Sequence, residues 1–217
     1  SYNNMENAVD LSHVAFDHRD ASVTWDDRVD GPVLTCVETC WGVENRAERP
    51  SGRRNIGQVG MPNKYHVRGV PDDPEVQYRE FIGWWVPHDD DRHTQFTVVR
   101  VDLPEQAKAG YYQRRKEMLA RQDLDREAIA RAILAGEIRL ENVDSTRLNL
   151  IFLQDDIAQP GVGPIATRVK EHLGRGDVSI VTQRRIWLRE LKKFANGEPT
   201  KQWRYDPEVL KVHADYR

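Results

Sequence analysis

At Pro104 the sequence changes its period, and that change limits the folds open to the chain. Before it, β-branched and aromatic residues fall in short runs separated by Pro, Gly and Asp clusters; after it, apolar residues recur every three or four positions. Residues 1 to about 18 read as a helix and its exit, and Val23 to Trp25 as a short strand. Pro32 to about Arg46 reads as one long strand, with Val33, Thr35, Val37 and Thr39 on one face and Leu34, Cys36, Glu38 and Cys40 on the other. Arg54 to Met61 and Tyr65 to Val70 follow, with turns over 49–52, 62–63 and 71–74. Gln77–Val86 and Thr94–Val101 read as an antiparallel pair joined by 87–92.

Beyond Pro104 the pattern predicts a charged helix to about residue 121 and a second one capped by Asp125 and ended by Gly136, so that 104–136 forms a helical excursion from the sheet. A third helical region is expected from about Asp155, interrupted by Pro160, Gly161, Gly163 and Pro164 and resuming with Ile165, Val169 and Leu173. Asp177 to Val181 reads as a closing strand, and Thr182 as the cap of a last helix with Trp187, Leu191 and Phe194 turned inward. Strands first and helices packed across them predict an α+β domain.

The length of 217 residues suits a single domain, and 31% charged with 39% apolar residues describes a globular chain. No apolar run approaches the roughly 20 residues that cross a bilayer, and no basic-then-apolar leader opens the chain, so a cytoplasmic protein with no membrane partner is expected. A net charge of −3 with both signs interspersed argues against a nucleic-acid groove. Cys36 and Cys40, if on one strand, lie ~13 Å apart and form no disulfide. They read as ordinary thiols.

The opening stretch carries the chemistry. Glu6, Asn7, Asp10, His13 and His18 form E-N-x-x-D-x-x-H-x-x-x-x-H. Neutral imidazole is the commonest ligand for a divalent transition metal, and two imidazoles with one carboxylate leave coordination positions open. A straight helix turns about 100° per residue, so His13 and His18 converge only where the helix ends, bulges or unwinds. Asp10 and His13, three apart, can hydrogen-bond on one face. The helical zinc pair HExxH is absent.

That string resembles the mononuclear iron motif of Rieske-type aromatic ring-hydroxylating oxygenases. A second segment, Leu150-Ile-Phe-Leu-Gln-Asp-Asp-Ile-Ala-Gln-Pro-Gly-Val-Gly-Pro-Ile165, is similar to the one that carries the third ligand in the phthalate dioxygenase-like branch. The resemblance implies His13, His18 and Asp155 as ligands of a mononuclear Fe(II), with Asp156 as the fallback. It implies a helix-grip (START/Bet v 1-like) domain over 1–217, a curved antiparallel sheet packed on a long C-terminal helix. Asp10 would receive a hydrogen bond from a ligating histidine and lead towards a Rieske-cluster histidine of a neighbouring subunit, and Asn7 would sit close to the iron. The reaction implied is dioxygen-dependent hydroxylation or oxidative demethylation of an aromatic substrate. It would draw electrons from a [2Fe–2S] cluster and an NAD(P)H-linked reductase or ferredoxin, in a homotrimer. The Cys-x-His and Cys-x-x-His halves of a Rieske site are absent from this chain, so the expectation is a C-terminal catalytic part whose cluster domain lies outside it.

Two other readings stay open: a non-enzymatic carrier of hydrophobic ligands on the same fold, and a hydrolytic zinc site. Trp84, Trp85, Phe96, Leu150 and Phe152 are expected in the core or lining a pocket, Arg147 or Asn149 as an anchor for a substrate carboxylate, and His66, His88 and His93 as solvated. Arg184 and Arg185 read as a solvated helix face or a docking patch.

Overall fold

A computed structural model describes residues 2–18, 31–50, 52, 54–69, 76, 79–90, 92–120, 125–144, 150–163 and 170–207. Among the described residues six strands follow one another in space as in sequence: β1 Val33–Glu38, β2 Gly42–Glu48, β3 Arg54–Gly60, β4 Lys64–Gly69, β5 Arg79–Pro87 and β6 His93–Val101. Every neighbouring pair is antiparallel. The helices are α1 Tyr2–Val9, α2 His13–Asp17, α3 Lys108–Ala120, α4 Arg126–Leu134, α5 Leu150–Val162 and α6 Val178–Ala195. The molecule is thus α+β, and none of its described helices is long and apolar enough to cross a membrane. The expected strand at Val23–Trp25, the turn at 71–74, the positions Ile165 and Val169 and the anchors Arg147 and Asn149 lie outside the described residues.

One face of the sheet carries the core. Val43, Val59, Tyr65 and Trp85 pack with Met5 and Val9 of α1 and Ile186 of α6. Tyr65 lies directly opposite Gly83, and its ring fills the space a Cβ there would need, 2.3 Å away. Its hydroxyl is bonded to Thr97 Oγ1 at 2.5 Å and accepts from Gln95 Nε2 at 2.9 Å, so the ring has nowhere to retreat. The pair locks β4 against β5 and β6. On the opposite face Phe96 is exposed.

Several sequence expectations are corrected. The single strand over 32–46 is a hairpin: Thr39 Oγ1 accepts from Trp41 N at 3.2 Å and Gly42 N at 3.0 Å, turning the chain between β1 and β2. Cys40 therefore sits in the turn and only Cys36 on a strand; both thiols are free. The strand expected at 177–181 is the first turn of α6, and Thr182 lies inside that helix, its hydroxyl donating to the Val178 carbonyl at 2.8 Å. The helix is also rotated relative to expectation. Leu191 and Phe194 are 53% and 75% exposed, while Ser179, Gln183, Ile186 and Glu190 face inward. The inward face is mostly polar, so hydrophobicity alone misjudged its phase. His66 is buried on β4, between Gln58 Oε1 at 3.1 Å and Glu80 Oε1 at 3.0 Å, rather than solvated. Arg184 is not a solvated face either, being paired to Glu6 and Glu171.

Beyond the sheet, Asp125 Oδ1 accepts from Ala128 N at 2.9 Å as the cap of α4, and Gly136 has a φ of +76° just past its end. Of α3 only Tyr111 is buried. Ala130 of α4 packs on Leu150 and Leu153 of α5 in a second apolar cluster. That contact carries α5, which begins five positions earlier than expected and continues through Pro160. Pro160 lies in its last turn, where it takes its own backbone donor out of the helix.

α6 is tied to the sheet by charge. Glu38 of β1 accepts from Arg189 at 2.8 and 2.9 Å and from Lys201 Nζ at 2.6 Å. Arg189 first, then Lys201, hold its carboxyl at about 2, well under the usual carboxylate range. A carboxyl depressed in the folded state adds stability above its unfolded value of 4.5, and that stability fades as pH falls from there towards 2. Glu38→Gln should cost about 1 kcal/mol at neutral pH, as a half-exposed ion pair does. The gap from wild type in urea midpoint should close between about pH 4.5 and 2. A gap constant across that range would mean that the pair contributes nothing.

Candidate metal centre

The opening helix stops at Val9. Asp10 N still donates to the Glu6 carbonyl at 3.0 Å, but the next turn does not follow. The Asp10 carboxylate instead caps the start of α2: Oδ1 accepts from Ser12 N at 2.9 Å, Ser12 Oγ at 2.5 Å and His13 N at 3.3 Å. An aspartate before a helix start meets amides that have no intrahelical partner. His13 is thereby the first residue of α2, and His18 sits just past its end. His18 thus stands where α2 has ended, which is the condition its five-residue spacing from His13 sets. The two rings approach edge to face with centroids 5.1 Å apart.

The third member comes from α5. Leu150, Leu153 and Gln154 bury one side of that helix, and Asp155 follows on the side facing α2. Its Oδ1 lies 3.4 Å from His18 Nε2 and 3.7 Å from His13 Nε2. One donor atom from each of the three residues falls within 4.8 Å of the others. Ions of the zinc and iron class bind such donors at ~2.0–2.2 Å, so pairs up to about 4 Å apart can share one. Both histidine–aspartate pairs meet that condition.

Hydrogen bonding sets the ring tautomers. A carbonyl only accepts, so His13 Nδ1, 2.5 Å from the Asp10 carbonyl oxygen, carries its proton there. His18 Nδ1 likewise donates to Gln154 Oε1 at 2.9 Å. Both Nε2 lone pairs are left pointing at the aspartate, the arrangement seen where imidazole ligates metal. Asp155 Oδ1 is buried and has no hydrogen-bond partner. A buried carboxylate oxygen without a donor is costly, and a cation at the centre of the three residues would satisfy it. Burial acts to lower the His18 imidazole, but contact with Asp155 and its charge, aided by Gln154 and Asp17, lift it above the ordinary value. A metal ion at this position would compete with a proton for His18 Nε2.

The structure also sorts the remaining expected residues. Asp156 pairs with Arg126 and so points to α4, away from the histidines. Burial, outweighing the guanidinium, raises its carboxyl above the usual range. Asp10 lies beside His13, though the imidazole bonds its backbone carbonyl, and the carboxylate Oδ2 stays 3.8 Å off. Asn7 is half-buried on α1, one turn before Asp10. Glu6 is buried and bonded by Arg184 Nε at 2.6 Å, fastening α1 to α6. Asn3 Nδ2 donates to the Gly163 carbonyl at 3.1 Å, fastening α1 to the end of α5. Trp85 and Leu150 are core residues, and Phe152 is half-exposed beneath the Arg126 guanidinium, 5.5 Å from its ring centroid. His93 contacts Asn4 across 3.3 Å and is half-buried rather than solvated. The task of Gln154, which holds the His18 ring, was missed by sequence reasoning; its position beside Asp155 was its signal.

No protein-family model and no curated protein matches the chain.

Titration of the metal-free protein with Fe(II), without oxygen, should give about one ion per chain. His13→Ala and Asp155→Ala should abolish that binding. Asp156→Asn should retain it, since its carboxylate serves Arg126; loss of the ion in that variant would exchange the roles of the two aspartates. Gln154→Ala should keep the stoichiometry and weaken affinity by roughly 10–100-fold, the usual effect of removing a partner that orients a ligating histidine.

Proposed function

We propose that this chain is the catalytic domain of a Rieske-type non-haem iron oxygenase on a helix-grip fold, hydroxylating or oxidatively demethylating an aromatic substrate. The observation that carries the reading is the meeting of His13, His18 and Asp155, residues drawn from the two segments that resemble that family. The six-stranded antiparallel sheet with α1 and α6 on one face is compatible with the fold. Two imidazoles and one carboxylate on one side of Fe(II) leave about three adjacent positions, the setting in which dioxygen is activated once electrons arrive.

The chain's own residues have separable tasks in this reading. His13, His18 and Asp155 hold the ion. The Asp10 carbonyl and Gln154 Oε1 fix the two rings by taking their Nδ1 protons. The Asp10 carboxylate, half-buried at the helix break, stands beside His13 and lies on the route by which electrons from a Rieske [2Fe–2S] domain would reach the site. Asn7 lies half-buried on α1, one turn earlier. The partners are then a reductase or ferredoxin fed by NAD(P)H and, in the assembled trimer, a neighbouring subunit's cluster.

The test is turnover of the Rieske-linked protein with its reductase against aromatic acids and aryl ethers under ¹⁸O₂, where labelled hydroxylated or demethylated product is expected. Asp10→Ala should keep about one iron per chain and lower product formation to background. Normal turnover in that variant would remove Asp10 from the electron route. Uptake of an apolar ligand by a chain that binds no iron would replace the oxygenase by a carrier, and tight zinc with ester or amide hydrolysis would replace it by a hydrolase.

A further inference from the structure

We propose that Asn45, in the middle of β2, is the positioning residue through which the sheet sets the two histidines; the inference rests on their reading as ligands. In an uninterrupted helix the Val9 carbonyl would accept from the amide of the residue four positions on, which is His13. It does not. Asn45 Nδ2 occupies that carbonyl at 2.6 Å, while the His13 amide turns to Asp10 Oδ1 at 3.3 Å. Both Asn45 and Val9 are almost wholly buried, so no solvent competes for the bond. A side chain of the sheet has taken the place of the backbone donor that would have continued α1.

The seat of Asn45 is shaped for this. It lies directly opposite Gly57 on β3, and a Cβ at Gly57 would fall 2.5 Å from its Oδ1. That oxygen is buried and has no hydrogen-bond partner. An amide buried with its oxygen unmet costs stability, and the bond from Nδ2 to the Val9 carbonyl is what offsets that cost. Along β2 its inward-facing neighbours are Val43 and Ala47, so the polar group is isolated among apolar side chains and aimed at one carbonyl. Removing the donor returns the Val9 carbonyl to the His13 amide. The break then closes, and His13 is carried round the helix axis away from Asp155.

Asn45→Leu keeps the volume and removes the donor; Asn45→Ala does so with less steric demand if the leucine variant does not fold. Gly57→Ala displaces the amide without altering it. Val43→Ala, one inward position along β2, lowers stability without touching the Val9 carbonyl. Co(II) affinity and the Co(II) ligand-field spectrum would be measured in each, with backbone chemical shifts over residues 9–13 in the metal-free proteins. The expected result is a 10–100-fold loss of affinity with an altered spectrum in the Asn45 and Gly57 variants, helical shifts across 10–12 in the Asn45 variants, and neither change in Val43→Ala. Wild-type affinity in the Asn45 variants, or an equal loss in Val43→Ala, would overturn the proposal. If the wild type bound no metal while the Asn45 variants still turned helical across 10–12, the ligand reading would fail and the control of the break would stand.

Discussion

A helix that stops inside a protein must find partners for the backbone groups it frees, and at the end of α1 that requirement shapes the whole site. The freed Val9 carbonyl is met by a side chain of the sheet, and the freed amides at Ser12 and His13 by the Asp10 carboxylate. Each bond is local and modest. Together they stand in for part of the missing turn. The two imidazoles, at the first residue and just past the end of the short α2, lie with ring centroids 5.1 Å apart.

The aspartate they meet is held by a different logic. α5 has its own apolar support, Leu150 and Leu153 on Ala130 of α4, and is fastened to α1 through Asn3 and Gly163. The helices after the sheet are thus part of the frame of the site through α4, although α3 stands mostly in solvent. Two adjacent aspartates then receive opposite assignments from one turn of helix: Asp155 faces two ring nitrogens with no donor of its own, and Asp156 faces a guanidinium. Successive helical side chains diverge by about 100°, which makes the choice unambiguous once the helix is placed.

Polar groups also decide how α6 lies. Its buried face carries Ser179, Gln183 and Glu190 beside Ile186, and its edges are pinned by Arg184 to Glu6 and by Arg189 to Glu38. Arg184 thus ties α6 to α1, the helix that leads into the His13–His18 stretch. Glu6, one turn before Asp10, thereby has a mechanical role: it resists rotation of α1, whose far end is the break.

Local signals announced much of this. Alternation, proline and glycine punctuation and the Asp125 cap predicted the α+β class, the β5–β6 pair and α4, because each depends on neighbours a few positions away. The spacing of His13 and His18 made their convergence conditional on a helix end or bulge between them. The break at 10–12 fell inside a stretch read as one helix. The resemblance of the 150–165 segment pointed to Asp155. The hairpin at Thr39–Gly42 was hidden because the alternation continues across it, while a threonine side chain quietly makes the turn. The phase of α6 was hidden because its inward face is polar. Asn45, Gln154 and Arg184 were invisible as site residues for one shared reason: each acts by a hydrogen bond or ion pair to a group far away in sequence, and only packing decides which distant groups come within 3 Å of one another.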